Sequence, residues 1–94
     1  MTSEVRHDED RSRYTLWVDG EAVGLADYAR RGADVVFLHT EIAPARRHEG
    51  LGDTLVGAAL DDAHERFGAH IVPACPFVAE FIAEHPDYQE LLAS

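Results

Sequence analysis

Apolar and polar residues alternate from Arg13 to Val18. Tyr14, Leu16 and Val18 are set against Arg13, Thr15 and Trp17, the period-two pattern of a half-buried strand. Asp19-Gly20 follows as a hairpin turn signal. A second strand is predicted over 21–29, and Arg31-Gly32 marks the next turn. Residues 35–42 form the most apolar run, so this third strand belongs in the interior of the sheet. The three together read as an antiparallel meander. Residues 1–12 are charged and show no period, which predicts a mobile N-terminal arm ahead of a single domain over 13–94.

The period then changes. Leu51, Leu55, Ala59, Ala63 and Phe67 recur every fourth residue, with Val56 and Leu60 beside them. Asp53, Asp61, Asp62, Glu65 and Arg66 take the opposite face, so a helix is predicted over 50–67 with Gly68 as its C-terminal cap. Residues 70–75 read as a fourth strand, with Pro73 placing it at an edge or a bulge. A strand that follows a helix of this length returns parallel to its predecessor through a right-handed crossover. Pro76 opens a short helix carrying Phe77, Val78, Phe81 and Ile82, broken before Pro86. Residues 87–92 give a last helical turn or two. The fold class expected is α/β with a mixed sheet.

Composition narrows the partners. A chain of 94 residues makes one domain with one modest core. The net charge of −10 argues against nucleic acid and anionic membrane, both of which need a basic face, and favours amines or basic protein segments. All eight basic residues are arginine. The single cysteine, Cys75, excludes an internal disulfide and fits a reducing cytoplasm. The acidic N-terminus does not read as a signal peptide, and no apolar run approaches the ~20 residues of a membrane span. The histidines show no metal-binding spacing, so no metal site is expected.

The stretch from Ile42 to Gly52 carries the candidate chemistry. An apolar strand ends, a turn with two glycines follows, and an amphipathic helix begins. Inward-pointing N–H groups of such a turn and the positive end of a helix make an anion site, suited to a pyrophosphate-bearing cofactor. Glycine is expected there because a Cβ would block close approach of a phosphate. Two phosphate motifs are excluded. A Walker loop requires lysine, which the chain lacks, and a dinucleotide fingerprint requires a third glycine where Leu55 stands.

The remaining pattern, Ile42-x-Pro44 followed by Arg47-x-x-Gly50-x-Gly52, resembles the pyrophosphate loop of the GNAT acetyltransferases. With Leu38 to Ile42, Pro73 to Phe77 and His85 to Tyr88, the chain resembles the short, single-domain branch of that superfamily. The resemblance implies a minimal acyl-CoA N-acyltransferase fold without the usual N-terminal helices. It implies that the third and fourth predicted strands splay apart around the pantetheine arm. It also implies acetyl-CoA as cofactor. Its contacts then fall on the backbone of Ile42 and on Arg47, His48, Glu49, Gly50, Leu51, Gly52 and Asp53.

Three residues are candidates for catalysis. Glu41 sits where the family often carries a general base, a role that burial would support. Strict alternation places it on the face of His39 and Phe37, opposite Leu38 and Ile42, and His39 is a second candidate base. Cys75 ends the fourth strand near the place that the resemblance gives the thioester. It is a candidate acyl acceptor, a proton donor to the departing CoA thiolate, or a packing residue. The family pattern usually supplies a tyrosine in the following helix, where this chain has Phe81 and Ile82. Tyr88 lies further on and substitutes only if the C-terminal segment folds back.

The reading is an N-acetyltransferase acting on an amine, on a basic partner or protein acceptor, with a second copy or a partner protein completing an open acceptor site. The alternative is a CoA-binding sensor or interaction module that keeps the fold.

Overall fold

A computed structural model describes residues 2–92. Its sheet has five strands in sequential order: β1 (Ser3–Asp8), β2 (Arg13–Val18), β3 (Glu21–Arg31), β4 (Asp34–Ile42) and β5 (His70–Pro73). The first four are antiparallel and β5 runs parallel to β4. Helix α1 (Leu51–Phe67) makes the crossover, and α2 (Pro76–Glu84) follows β5. A 3-10 segment, Pro86–Leu91, follows α2, and Leu92 bridges to Ile71 of β5. The architecture is the mixed α/β sheet that the hydrophobic pattern predicts.

One expectation is corrected. Residues 1–12 read as a free arm, but Ser3–Asp8 pairs with β2 along its length and the meander has four strands, while residue 1 lies outside the described residues. An edge strand is held by backbone hydrogen bonds, so its side chains need little apolar period. Only Val5 packs against the core, while His7 stacks on Tyr14 with ring centroids 4.7 Å apart. The predicted fourth strand is also shorter, ending at Pro73.

Both helices cover one face. Tyr14, Leu16 and Val18 of β2, Val23, Ala26 and Tyr28 of β3, and Val35 and Phe37 of β4 are buried beneath them. They share one cluster with Leu55, Val56, Leu60 and Ala63 of α1 and Val78, Phe81 and Ile82 of α2. The alternate residues Arg13, Thr15, Trp17, Leu25 and Asp27 stand on the other face, where no helix lies, and are only half-buried.

The hydroxyl of fully buried Tyr14 must find an acceptor. It donates to Asp62 of α1 at 2.7 Å, and Asp62 also accepts from Arg66 at 2.9 Å. The Arg66 guanidinium, opposed by partial burial and assisted by Tyr14, holds the Asp62 carboxyl below its usual 3.8. Burial and the Asp62 carboxylate in turn push the Tyr14 phenol well up. Tyr14→Phe keeps the ring and removes this bond. Because the carboxylate is about a third exposed, the expected loss at neutral pH is about 1 kcal/mol, below the full value of a charged bond. A group that is more acidic folded than unfolded stabilises fully above its unfolded value near 3.8 and stops doing so as pH falls through its folded value. Urea titrations of wild type and variant therefore differ at neutral pH and converge as pH falls well below 3.8.

Candidate active site

β4 and β5 pair only from Asp34 and His70 to Phe37 and Pro73. Beyond that point they part, for two local reasons. Pro73 has no N–H to donate, and the ladder's last bond runs instead from Cys75 N to Phe37 O at 2.9 Å. On the other side of β4, Asp27 faces His39 while Tyr28 faces Phe37, so Leu38 is an extra residue forming a bulge. The bulge turns the strand away and leaves Leu38 47% exposed. The result is a wedge between β4 and the β5–α2 junction.

The bulge also corrects the strand's facing. Phe37 belongs to the core, whereas His39 and Glu41 lie on the solvent side with side chains 56% and 62% exposed. Glu41 does share its face with His39, 3.2 Å away, but Phe37 is on the opposite one. Glu41 therefore lacks the burial that the sequence reading asks of a general base.

The wedge opens into a cavity of about 570 Å³ lined by His39, Thr40, Glu41, Ile42, Arg46, Arg47, His48, Gly50, Leu51, Gly52, Asp53 and Phe77. The structure thus brings ten of the eleven proposed site residues to, or next to, one space, with differences in detail. Glu49 does not line the cavity; it turns to Arg46 at 3.2 Å. Arg47 makes no ion pair among the described residues and stays exposed at the rim. Cys75 lies behind the wall, 5% exposed, with Sγ 3.6 Å from Thr40 Oγ1.

The N-terminus of α1 faces this cavity. Its N-cap is Gly50, in the left-handed region at φ 75°, and no side chain caps the first turn. The unpaired N–H groups of that turn are available to an anion. His48 also takes a positive φ, 73°, which sharpens the turn. Gly50 has nothing within 4 Å of where a Cβ would stand, consistent with room for a ligand. Gly52 differs: a Cβ there would run into the ring of Phe77. Its glycine makes space for an aromatic ring of α2.

Cys75 is the residue before α2. Burial pushes its thiol up. The Thr40 hydroxyl and the N–H groups of Val78, Phe77 and Thr40 outweigh that and hold it below the usual 9.0, although Sγ does not cap the helix at hydrogen-bond distance. A thiol of this kind is a better acid and a readier thiolate than a free one.

The sequence reading missed Thr40 and Phe77. Thr40 falls in a strand whose facing depends on the bulge, and Phe77 reads as one more core residue of an apolar helix. Tyr88 does fold back, but its hydroxyl donates to Asp61 at 3.1 Å and its ring packs on Phe81, away from the cavity. Phe81 and Ile82 are buried. Among the described residues there is no cluster suited to a metal ion, and no helix is long and apolar enough to cross a membrane.

Comparison with known proteins agrees with this geometry. A family model described as GCN5-related N-acetyl-transferase matches residues 13–91. The chain belongs to that family and is by family an N-acetyltransferase. It is similar in fold to a GCN5-like protein from Staphylococcus aureus, at 18% identity and a TM-score of 0.72, covering 97% of this chain and 88% of that one. It is also similar to the ribosomal-protein-S18-alanine N-acetyltransferase of Escherichia coli, at 20% identity and a TM-score of 0.60, covering 77% of this chain and 48% of that one. A third similar structure is an aminoglycoside N-acetyltransferase solved in complex with CoA, at 18% identity and a TM-score of 0.53, covering 87% and 66%. The chain thus spans about half the length of the Escherichia coli enzyme. The comparison with curated proteins finds no match.

The contact between Gly52 and Phe77 has a direct test. The far end of the Phe77 ring is the obstacle and the residue is 39% exposed, so it can swing outward. Gly52→Ala is expected to shift the ring-proton NMR signals of Phe77 at a stability cost below about 1.5 kcal/mol. Unmoved ring signals would contradict the contact.

Proposed function

We propose that the protein binds acetyl-CoA in the wedge and transfers its acetyl group to a primary amine, on a basic partner in the cytoplasm. The observation that carries this reading is the uncapped N-terminus of α1 opening, through Gly50, into the cavity where β4 leaves β5. In this reading Arg47, His48, Leu51, Gly52 and Asp53 surround the pyrophosphate, with Glu49 acting through Arg46. The backbone N–H of Ile42 polarises the thioester carbonyl. The wedge holds the pantetheine arm between Thr40 and the β5–α2 junction.

The chemistry then needs little covalent work, because holding a thioester beside an amine supplies most of the advantage. The bound ammonium first loses one proton to solvent, with Glu41 or His39 as relay. The neutral amine attacks the thioester carbonyl carbon, forming the N–C bond as the C–S bond breaks. The second amine proton passes to Glu41, and the CoA sulfur leaves as thiolate. Cys75 is placed to supply its proton through Thr40, and Cys75 then recovers one from solvent. The uncovered face of the sheet leaves the acceptor side open to a partner or a second copy.

The exposure of Glu41 favours a second reading, a CoA-binding module with slow or no turnover. One set of measurements separates the two. Arg47→Glu is expected to weaken acetyl-CoA binding by about 1.5–3 kcal/mol in calorimetry, the worth of a hydrogen bond to a charged group. Cys75→Ala is expected to keep that affinity and lower turnover on lysine-bearing peptides. Unchanged affinity in Arg47→Glu would move the pyrophosphate elsewhere, and tight binding without turnover on any amine would select the module.

A further inference from the structure

The two edges of the sheet are not alike. β5, at one edge, is four residues long, carries Pro73 and is bridged at Ile71 by Leu92. Shortness, proline and a covering segment all stop a sheet from adding strands. β1, at the other edge, has six residues and neither proline nor glycine, and among the described residues no strand lies beyond it. We propose that β1 pairs antiparallel with β1 of a second copy of this chain, across a two-fold axis at Val5. The proposal does not depend on the cofactor reading.

The backbone sets which residues meet. Thr2 O accepts from Asp19 N at 2.9 Å, so Thr2 turns its carbonyl towards β2. Alternation then turns the polar groups of Glu4, Arg6 and Asp8 to β2 as well, and those of Ser3, Val5 and His7 to the free edge. The next ladder agrees. Tyr28 N donates to Ser12 O at 2.9 Å, which turns Tyr14 and Leu16 to β3, and Arg13, Thr15 and Trp17 to Asp8, Arg6 and Glu4 of β1. A row of unpaired N–H and C=O groups is a template for another strand.

Charge selects one register. Glu4 and Arg6 stand together on the open face, where they pair and Arg6 stacks on the Trp17 ring at 4.2 Å. Registers that keep most of β1 paired and bring the outward residues face to face centre on Glu4, Val5 or Arg6. Centring on Glu4 sets it against the partner's Glu4. Centring on Arg6 sets it against the partner's Arg6, and Glu4 against the partner's Asp8. Centring on Val5 sets Glu4 against the partner's Arg6, and Arg6 against the partner's Glu4. Opposite charges facing across a strand pair stabilise it, and like charges oppose it. Each guanidinium keeps donors, and each carboxylate lone pairs, beyond the bond within its own chain. In this register Asp8, already held by Arg11 at 2.9 Å, meets only the uncharged Thr2 of the partner subunit. On the helix face Val5, which packs against its own core, meets the partner's Val5. The cavity beside β4 then lies away from the junction in both copies.

The test is sedimentation of the full chain between about 10 µM and about 1 mM, the range suited to a small interface. Each copy carries a net charge of −10, so the salt is held near about 0.15 M to screen general repulsion. Wild type is expected to form a reversible dimer. In hydrogen exchange, the amides of Ser3, Val5 and His7 are expected to slow as concentration rises, while those of Glu4 and Arg6 are protected throughout. Glu4→Arg and Arg6→Glu each set like charges face to face and are expected to weaken the dimer at least about tenfold. Mixing the two single variants, or combining both changes in one chain, restores opposite signs and is expected to recover the association. Val5→Pro removes the central outward N–H, spares the donors to β2, and is expected to leave a folded monomer. Wild type that stays monomeric throughout would overturn the proposal. So would a dimer whose Ser3, Val5 and His7 amides exchange alike at every concentration, or folded single variants that associate as wild type does. Failure of both the mixture and the combined variant to associate would overturn the register.

Discussion

The site depends on β4 and β5 ceasing to pair after Phe37. A parallel pair that continued its ladder would leave no room between the strands and would satisfy every backbone group within the sheet. Here Pro73 withholds one donor and the bulge at Leu38 rotates the rest of β4 outward. The same two features place Thr40 against Cys75, set His39 and Glu41 on the solvent side, and bring Ile42 to the turn that starts α1. The buried cluster beneath β4, with Phe37, Val35 and the apolar face of α1, holds this parted geometry in place.

Charge acts on a smaller scale than composition suggests. The protein carries ten more negative than positive charges, yet the rim of the wedge collects Arg46, Arg47, His39 and His48. Glu49 answers Arg46, which leaves Arg47 as the rim guanidinium without an ion pair among the described residues. With the N–H groups of α1 behind it, this rim is locally electropositive within an acidic surface. Asp53, in the first turn of α1, complements the helix dipole and restrains that positive field.

Much of this was legible in the residues. The α1 period, Gly68 as its cap, the parallel return of β5 and the glycine turn all rest on local chemistry that sequence displays directly. The facing of Glu41 did not, because a bulge is a property of two strands together, and one extra residue moves Phe37 to the opposite face. β1 was hidden for a related reason: an edge strand is bound through its backbone, which every sequence possesses. Cys75 reads as near the splay because it follows the fourth predicted strand, just beyond the observed end of β5, but its partner Thr40 depends on the bulge. Phe77 was invisible as a cavity residue because its contact with Gly52 joins two helices far apart in the chain.

The central claim is that one space, bounded by the parted strands and the N-terminus of α1, holds the cofactor. Its most direct test is a titration of the isotope-labelled protein with acetyl-CoA followed through backbone amide NMR signals. The account predicts saturable shifts at Thr40, Ile42, Gly50, Gly52, Asp53 and Phe77, with β1 and the Asp19-Gly20 turn unmoved. No saturable shift, or shifts centred on the β1–β2 edge, would contradict it.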